Sequence, residues 1–146
     1  MAEQENAQHA RQAVAAINSR NLDAYVQLLD ESYVLETEMA PAPLRGREAV
    51  RQLLQSYFNA IPDLHMEIEQ LITSGDYVVA RTHLTGTHKG TLLGVPATNN
   101  RIDVHSCNVT EIRNGKAVRS TLYSQSAKLF QQIGVLDLPK AMTARP

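Results

Sequence analysis

The sequence predicts an α+β fold in which helices come first and a run of mostly antiparallel strands follows. Three observations predict it. Apolar residues recur at helical spacing as far as Ala60, the periodicity switches to alternation after Pro62, and Asn114-Gly115 marks a two-residue hairpin between two long strand-like segments. About three N-terminal helices and one short C-terminal helix are too few to cover both faces of a sheet. A strongly curved sheet closing over the helices solves that burial problem and leaves a cavity.

Taken in order, Ala10, Ala13, Val14 and Ile17 mark a first helix, which Asn18 to Arg20 interrupts. Asn21 is placed to cap a second, short helix carrying Leu22, Tyr25, Val26 and Leu29. Ser32 to Glu38 reads as a short strand, and Met39 to Pro43, with two prolines, as a loop. Arg47 to Ala60 carries the strongest apolar stripe, through Ala49, Val50, Leu53, Leu54, Tyr57 and Phe58, and Pro62 prevents its continuation. Met66, Ile68 and Gln70 then alternate with Glu67 and Glu69 up to a turn at Ser74 to Asp76. Tyr77 to Thr87, Arg101 to Arg113 and Lys116 to Ser124 read as strands, with a loop over Leu92 to Asn100. Leu129, Phe130 and Ile133 indicate the last helix, stopped by Gly134.

At 146 residues the chain is expected to form one domain over residues 1–138, with a tail over 139–146. Lys plus Arg number 14 against 15 Asp plus Glu, a balance that argues against a nucleic-acid partner. No apolar run has membrane-spanning length, and the polar, acidic start is not a signal peptide. The single cysteine, Cys107, excludes an internal disulfide and fits a cytoplasmic protein. No metal-ligand spacing such as His-x-His or HExxH occurs, so no metal is expected.

Several short segments carry a resemblance. Gly86-Thr87-His88-Lys89-Gly90 with Leu93 to Thr98 is similar to the GTHxGxxxGxPPT signature of SnoaL-like polyketide cyclases and ester cyclases. Asn21-Leu22-Asp23, Ile61-Pro62-Asp63-Leu64, Gly75 to Arg81, Ile112 to Lys116 and Leu129 to Gly134 match further family segments in the same order. The resemblance implies the NTF2-like cone-shaped barrel, a pocket for a small hydrophobic molecule, a homodimer packed through the outer sheet face, and cofactor-free acid–base chemistry of the cyclase, isomerase or lyase kind. Such chemistry needs a base for an acidic C–H and donors for the enolate oxygen. The family's acid–base positions fall here on Asn108 and Leu122, and in the wider ester-cyclase pattern on Ser120 and Gln125. Leu122 cannot move a proton.

Candidate site residues follow from types and parity. Glu36, Asn108 and His83 are the expected catalytic groups: a carboxylate base, an amide donor, and an imidazole that can pair with His105 across strands. Tyr33, Tyr57, Ser106, Ser120, Leu122 and Gln125 are the expected substrate contacts. Asn108 shares its strand face with Val104, Ser106 and Thr110. Two readings stay open, a cofactor-free enzyme and a binding protein that has lost the acid–base pair but kept the cavity.

Overall fold

Three helices precede the main strands, as the change of period at Pro62 requires. The computed structural model describes residues 2–137 and 139. The expected tail, apart from residue 139, lies outside the described residues. Along the chain run α1 (Ala2–Asn18), α2 (Leu22–Gln27), β1 (Leu29–Thr37), β2 (Leu44–Arg45), α3 (Arg47–Ala60), β3 (His65–Ser74), β4 (Tyr77–Thr87), β5 (Arg101–Arg113), β6 (Lys116–Ser124) and α4 (Ser126–Gln132). Asn21 caps α2 as expected, its side chain accepting from the Ala24 N–H at 3.0 Å. β1 starts three residues earlier than expected, and β2 has too few residues to show an alternation in sequence.

The six strands form one curved open sheet in the order β2-β1-β6-β5-β4-β3. All neighbours are antiparallel except β1 and β6, because the chain leaves β1 early and returns beside it last. Register breaks at Leu29/Val34, Ile68/Gln70 and Glu111/Ile112 each add local twist, which bends the sheet around the helices. The break in β3 corrects the simple alternation expected there. Glu69 is the extra residue, so Gln70 turns outward onto Arg81, and Leu71 takes up the inner face beside Ala10 and Val78.

α1 packs over β3 and β4, and α3 over β1 and β2, so both ends of the concave face are covered. Asn18 clasps the edge strand: its amide donates to Met66 O at 2.9 Å and accepts from Met66 N at 2.8 Å. Arg47 ties the start of α3 to β1 by donating twice to Leu29 O.

The signature loop docks on the end of α3. Ala60 O accepts from the backbone N–H of Lys89 and of Gly90, and Asp63 accepts from the N–H and the hydroxyl of Thr87, both at 2.8 Å. Those bonds hold the Asp63 carboxyl below its ordinary range. A side chain at Gly90 would lie 2.4 Å from Asn59 O, and one at Gly86 2.2 Å from Ile61 Cγ2. The two glycines are therefore close-approach residues. His88 is fully buried, with Nδ1 bonded to Thr98 Oγ1 at 2.9 Å.

Candidate functional site

The sheet and the three N-terminal helices enclose a cavity of about 190 Å³. That exceeds the roughly 150 Å³ apolar cavity that takes benzene and falls below the roughly 300–1,000 Å³ of drug-sized sites. Its helical wall comes from one face of α1, namely His9, Ala10, Ala13, Val14 and Ile17, and from Val50, Leu53, Leu54, Tyr57 and Phe58 of α3. Apart from His9, these are the residues whose 3.6-residue spacing defined the helices.

The sheet wall follows from parity. On β4 the inward residues are Val78, Ala80, Thr82 and Leu84; on β5 they are Val104, Ser106, Asn108 and Thr110; on β6 they are Ser120, Leu122 and Ser124. A polar stripe crosses this otherwise apolar face. The Thr82 and Ser106 hydroxyls pair at 2.8 Å, and so do those of Thr110 and Ser120. Tyr33 bonds to Ser120, extending the second pair. Between the two pairs stands Asn108, whose Oδ1 is buried with no hydrogen-bond partner among the described residues. Such an atom costs about 1–3 kcal/mol unless a donor reaches it.

Of the three expected catalytic residues, only Asn108 lines the cavity. The expectation for Glu36 is corrected. It alternates with the inward Leu35, and its carboxylate accepts from Arg119 Nη1 at 2.5 Å, 43% exposed. His83 is corrected too, since its position in β4 is of outward parity. It stacks on His105, ring centroids 4.4 Å apart, and donates to Asp103 at 2.6 Å. All six expected contact residues, Tyr33, Tyr57, Ser106, Ser120, Leu122 and Gln125, do line the cavity. Gln125 caps α4 next to the end of β6, which brings it into the wall. Glu38 sits close by, accepting from the Ser124 N–H at 2.8 Å.

The residue that sequence reasoning missed is His9. It lies on the lining face of α1, where its spacing to Ala13 and to Ala16 and Ile17 is the signal that it faces inward. It is nearly buried and bonded to Leu28 O at 2.8 Å through Nε2. A carbonyl can only accept, so Nε2 carries the proton and the neutral ring keeps a lone pair on Nδ1. Burial lowers the His9 pKa from its ordinary value, against the Leu28 bond that raises it; Lys116 lowers it further. Among the described residues, no Asp, Glu, Lys or Arg lines the cavity. The three tyrosines of the lining are firmly protonated. Loss of solvation at its hydroxyl pushes Tyr25 up to about 12 even though its residue surface is partly exposed. Burial, with Tyr25 beside it, raises Tyr33 further, and burial with Glu38 nearby raises Tyr57. Among the described residues the cavity thus holds one group able to take a proton near neutrality and several able to donate a hydrogen bond.

A curved α+β sheet wrapped on helices around an apolar cavity defines an NTF2-like pocket fold. The chain belongs to the SnoaL-like polyketide cyclase family, whose model matches residues 7–133. No curated protein matches the chain. Solved structures match over most of it. AclR from Streptomyces galilaeus, described as a candidate hydroxylase, is 25% identical with a TM-score of 0.84, covering 97% of this chain and 88% of that one. TsrD from Streptomyces laurentii is 26% identical with a TM-score of 0.82, covering 91% and 97%. A Catenulispora acidiphila DSM 44928 protein of ketosteroid isomerase-like fold, solved with trimethylamine, shares the fold at 18% identity and a TM-score of 0.75, covering 90% and 97%. Among the described residues, no helix is long and apolar enough to cross a membrane.

Proposed function

We propose that this chain is a cofactor-free acid–base enzyme of the cyclase, isomerase or lyase kind, acting on a small hydrophobic, polyketide-type molecule of one or two rings. The observation that carries the reading is His9, the one imidazole base lining the cavity among the described residues. In the proposed step His9 Nδ1 removes a proton from carbon next to a carbonyl. The developing enolate oxygen takes hydrogen bonds from the Asn108 amide and from a neutral phenol such as Tyr33. Raised phenol pKa values support that role, because the donors stay protonated throughout the working range. The apolar walls bind the ring system and exclude competing water.

Leu122 and the lack of any carboxylate in the lining among the described residues favour a second reading, a binding protein for the same class of ligand. One experiment separates them. 2-Tetralone, a two-ring enolisable ketone, is incubated with the chain in D₂O, and deuterium uptake next to its carbonyl is followed by NMR. The enzyme reading expects catalysed exchange that falls by about 10²–10³-fold in His9→Gln. Saturable binding without catalysed exchange selects the binding protein. Neither binding nor exchange overturns both. The same proposal takes the chain as one domain over residues 1–138, cytoplasmic, and dimeric through the outer sheet face, where Ile72, Tyr77 and Tyr123 expose apolar surface.

A further inference from the structure

The geometry points to a divalent-metal site on the outer face of the sheet, formed by Glu69, His83 and His105 and fitted to an ion of the zinc class. It lies on the opposite face from the cavity and is independent of the proposed chemistry there. One ligand atom from each of the three residues lies within 4.8 Å of the other two. They come from three adjacent strands, β3, β4 and β5, which is why no ligand spacing is visible along the chain.

Each part of the cluster has a local cause. His83 and His105 are directly opposite in the β4–β5 ladder, and their rings stack almost parallel, 7° apart. Glu69 is the bulged residue of β3. The bulge gives Arg81 a neutral partner, Gln70 Oε1 at 2.8 Å, and leaves the Glu69 carboxylate to reach His105 Nδ1 at 2.6 Å. His83 donates from Nε2 to Asp103 Oδ1 at 2.6 Å, which leaves Nδ1 as its ligand atom. A ligating imidazole whose other nitrogen is held by a carboxylate is the usual supporting arrangement of zinc sites. The ion would take the place of the hydrogen bond between His105 and Glu69.

Two imidazoles and a carboxylate suit zinc and its first-row neighbours, whereas magnesium and calcium prefer all-oxygen sets. Three protein ligands leave a fourth position for water. The side chains are open enough to admit it: His105 is 42% exposed and Glu69 34%.

The test uses the tag-free chain, stripped with chelator and titrated with ZnCl₂ by isothermal calorimetry. We expect one ion per chain, no comparable heat from MgCl₂, and a visible absorption band on CoCl₂ addition. His83→Ala, His105→Ala and Glu69→Gln should each weaken Zn²⁺ binding by more than about tenfold, and Asp103→Asn by about tenfold. His65→Ala, at a surface histidine paired with Glu67 outside the cluster, should not change it. Circular dichroism checks that each variant is folded; Glu69→Gln, nearly isosteric and on the surface, decides the matter if a histidine variant is not. No Zn²⁺ binding by the parent chain, or binding unchanged in Glu69→Gln and the folded histidine variants, overturns the site.

Discussion

The two faces of the same strands differ more than any two separate elements do. Inward along β4 and β5 stand Val78, Ala80, Val104 and small hydroxyl residues that pair with one another. Outward on the same strands stand Arg81, His83, Asp103 and His105, each bonded to a polar partner. A period of two residues separates these chemistries. On the inner face a polar atom has only its neighbours or a ligand to bond. On the outer face water is always available. A lone Asn108 oxygen or a single imidazole inside therefore carries more information than a whole row of charges outside.

The strongest way to break this comparison is to put the same charge on adjacent residues. Val78 is 2% exposed and faces Ala10 and Ile112, while Val79 lies half-buried on the other face. Val78→Asp leaves a carboxylate without a partner among apolar groups and should cost more than about 4 kcal/mol, a large share of a domain's stability. Val79→Asp should cost only about 1 kcal/mol, mainly through lost strand propensity. Paired urea melts measure the difference; equal losses would refute the parity assignment for β4.

Next in size is the docking of the signature loop. Gly90→Ala sets a methyl group 2.4 Å from a backbone oxygen that cannot move aside cheaply. A loss of about 1–3 kcal/mol is expected, with Tm lower by about 2–4 °C per kcal/mol for a chain of this length. The result bears on what the sequence could reveal. The recognisable residues, Gly86, Thr87, Gly90 and Asp63, are those that lock the loop to the end of α3. Backbone approach at one fixed geometry permits few residue types, so these positions disclosed the family. The strand ranges Tyr77–Thr87, Arg101–Arg113 and Lys116–Ser124 were equally legible, because alternation and the Asn-Gly hairpin are local signals.

The site was less legible because facing is not local. Parity correctly grouped Ser106 and Asn108 with Val104, but it could not say which face of β1 turned inward, and Glu36 lies outward. His83 and His105 did prove to be cross-strand partners, on the face away from the cavity. His9 was overlooked because a helical histidine amid alanines looks like surface until the sheet is wrapped over it.

His9 also offers a pH test that separates the two faces. Its folded pKa lies below the ordinary 6.5, so between those values the unfolded chain holds a proton that the folded chain refuses. Stability is therefore full above pH 7 and declines as pH falls through 6.5, until the folded ring also protonates. The slope from one such group is at most about 1.4 kcal/mol per pH unit. His9→Gln should flatten this segment. The carboxyls with lowered values, Asp63 and Asp103, act in a separate window. Their stabilisation is present above 3.8 and is lost as pH drops through their lower folded values. An undiminished slope near pH 6 in His9→Gln would show that another group is responsible.

The smallest effect belongs to the outer face. Arg119 and Glu36 are 55% and 43% exposed, so their short contact competes with water and with ions in solution. Arg119→Ala should cost about 0.2–1 kcal/mol at low salt, and less at 1 M salt, where the screening length falls to about 3 Å. Ser120, the residue after Arg119 and 2% exposed, behaves differently. Ser120→Ala removes the partner of both Thr110 and Tyr33, and its cost, about 1–3 kcal/mol, should not respond to salt. Denaturation of the two variants at both salt concentrations makes the contrast a single measurement. A salt-sensitive Ser120 variant, or a salt-insensitive Arg119 variant, would mean that the faces of β6 have been assigned the wrong way round.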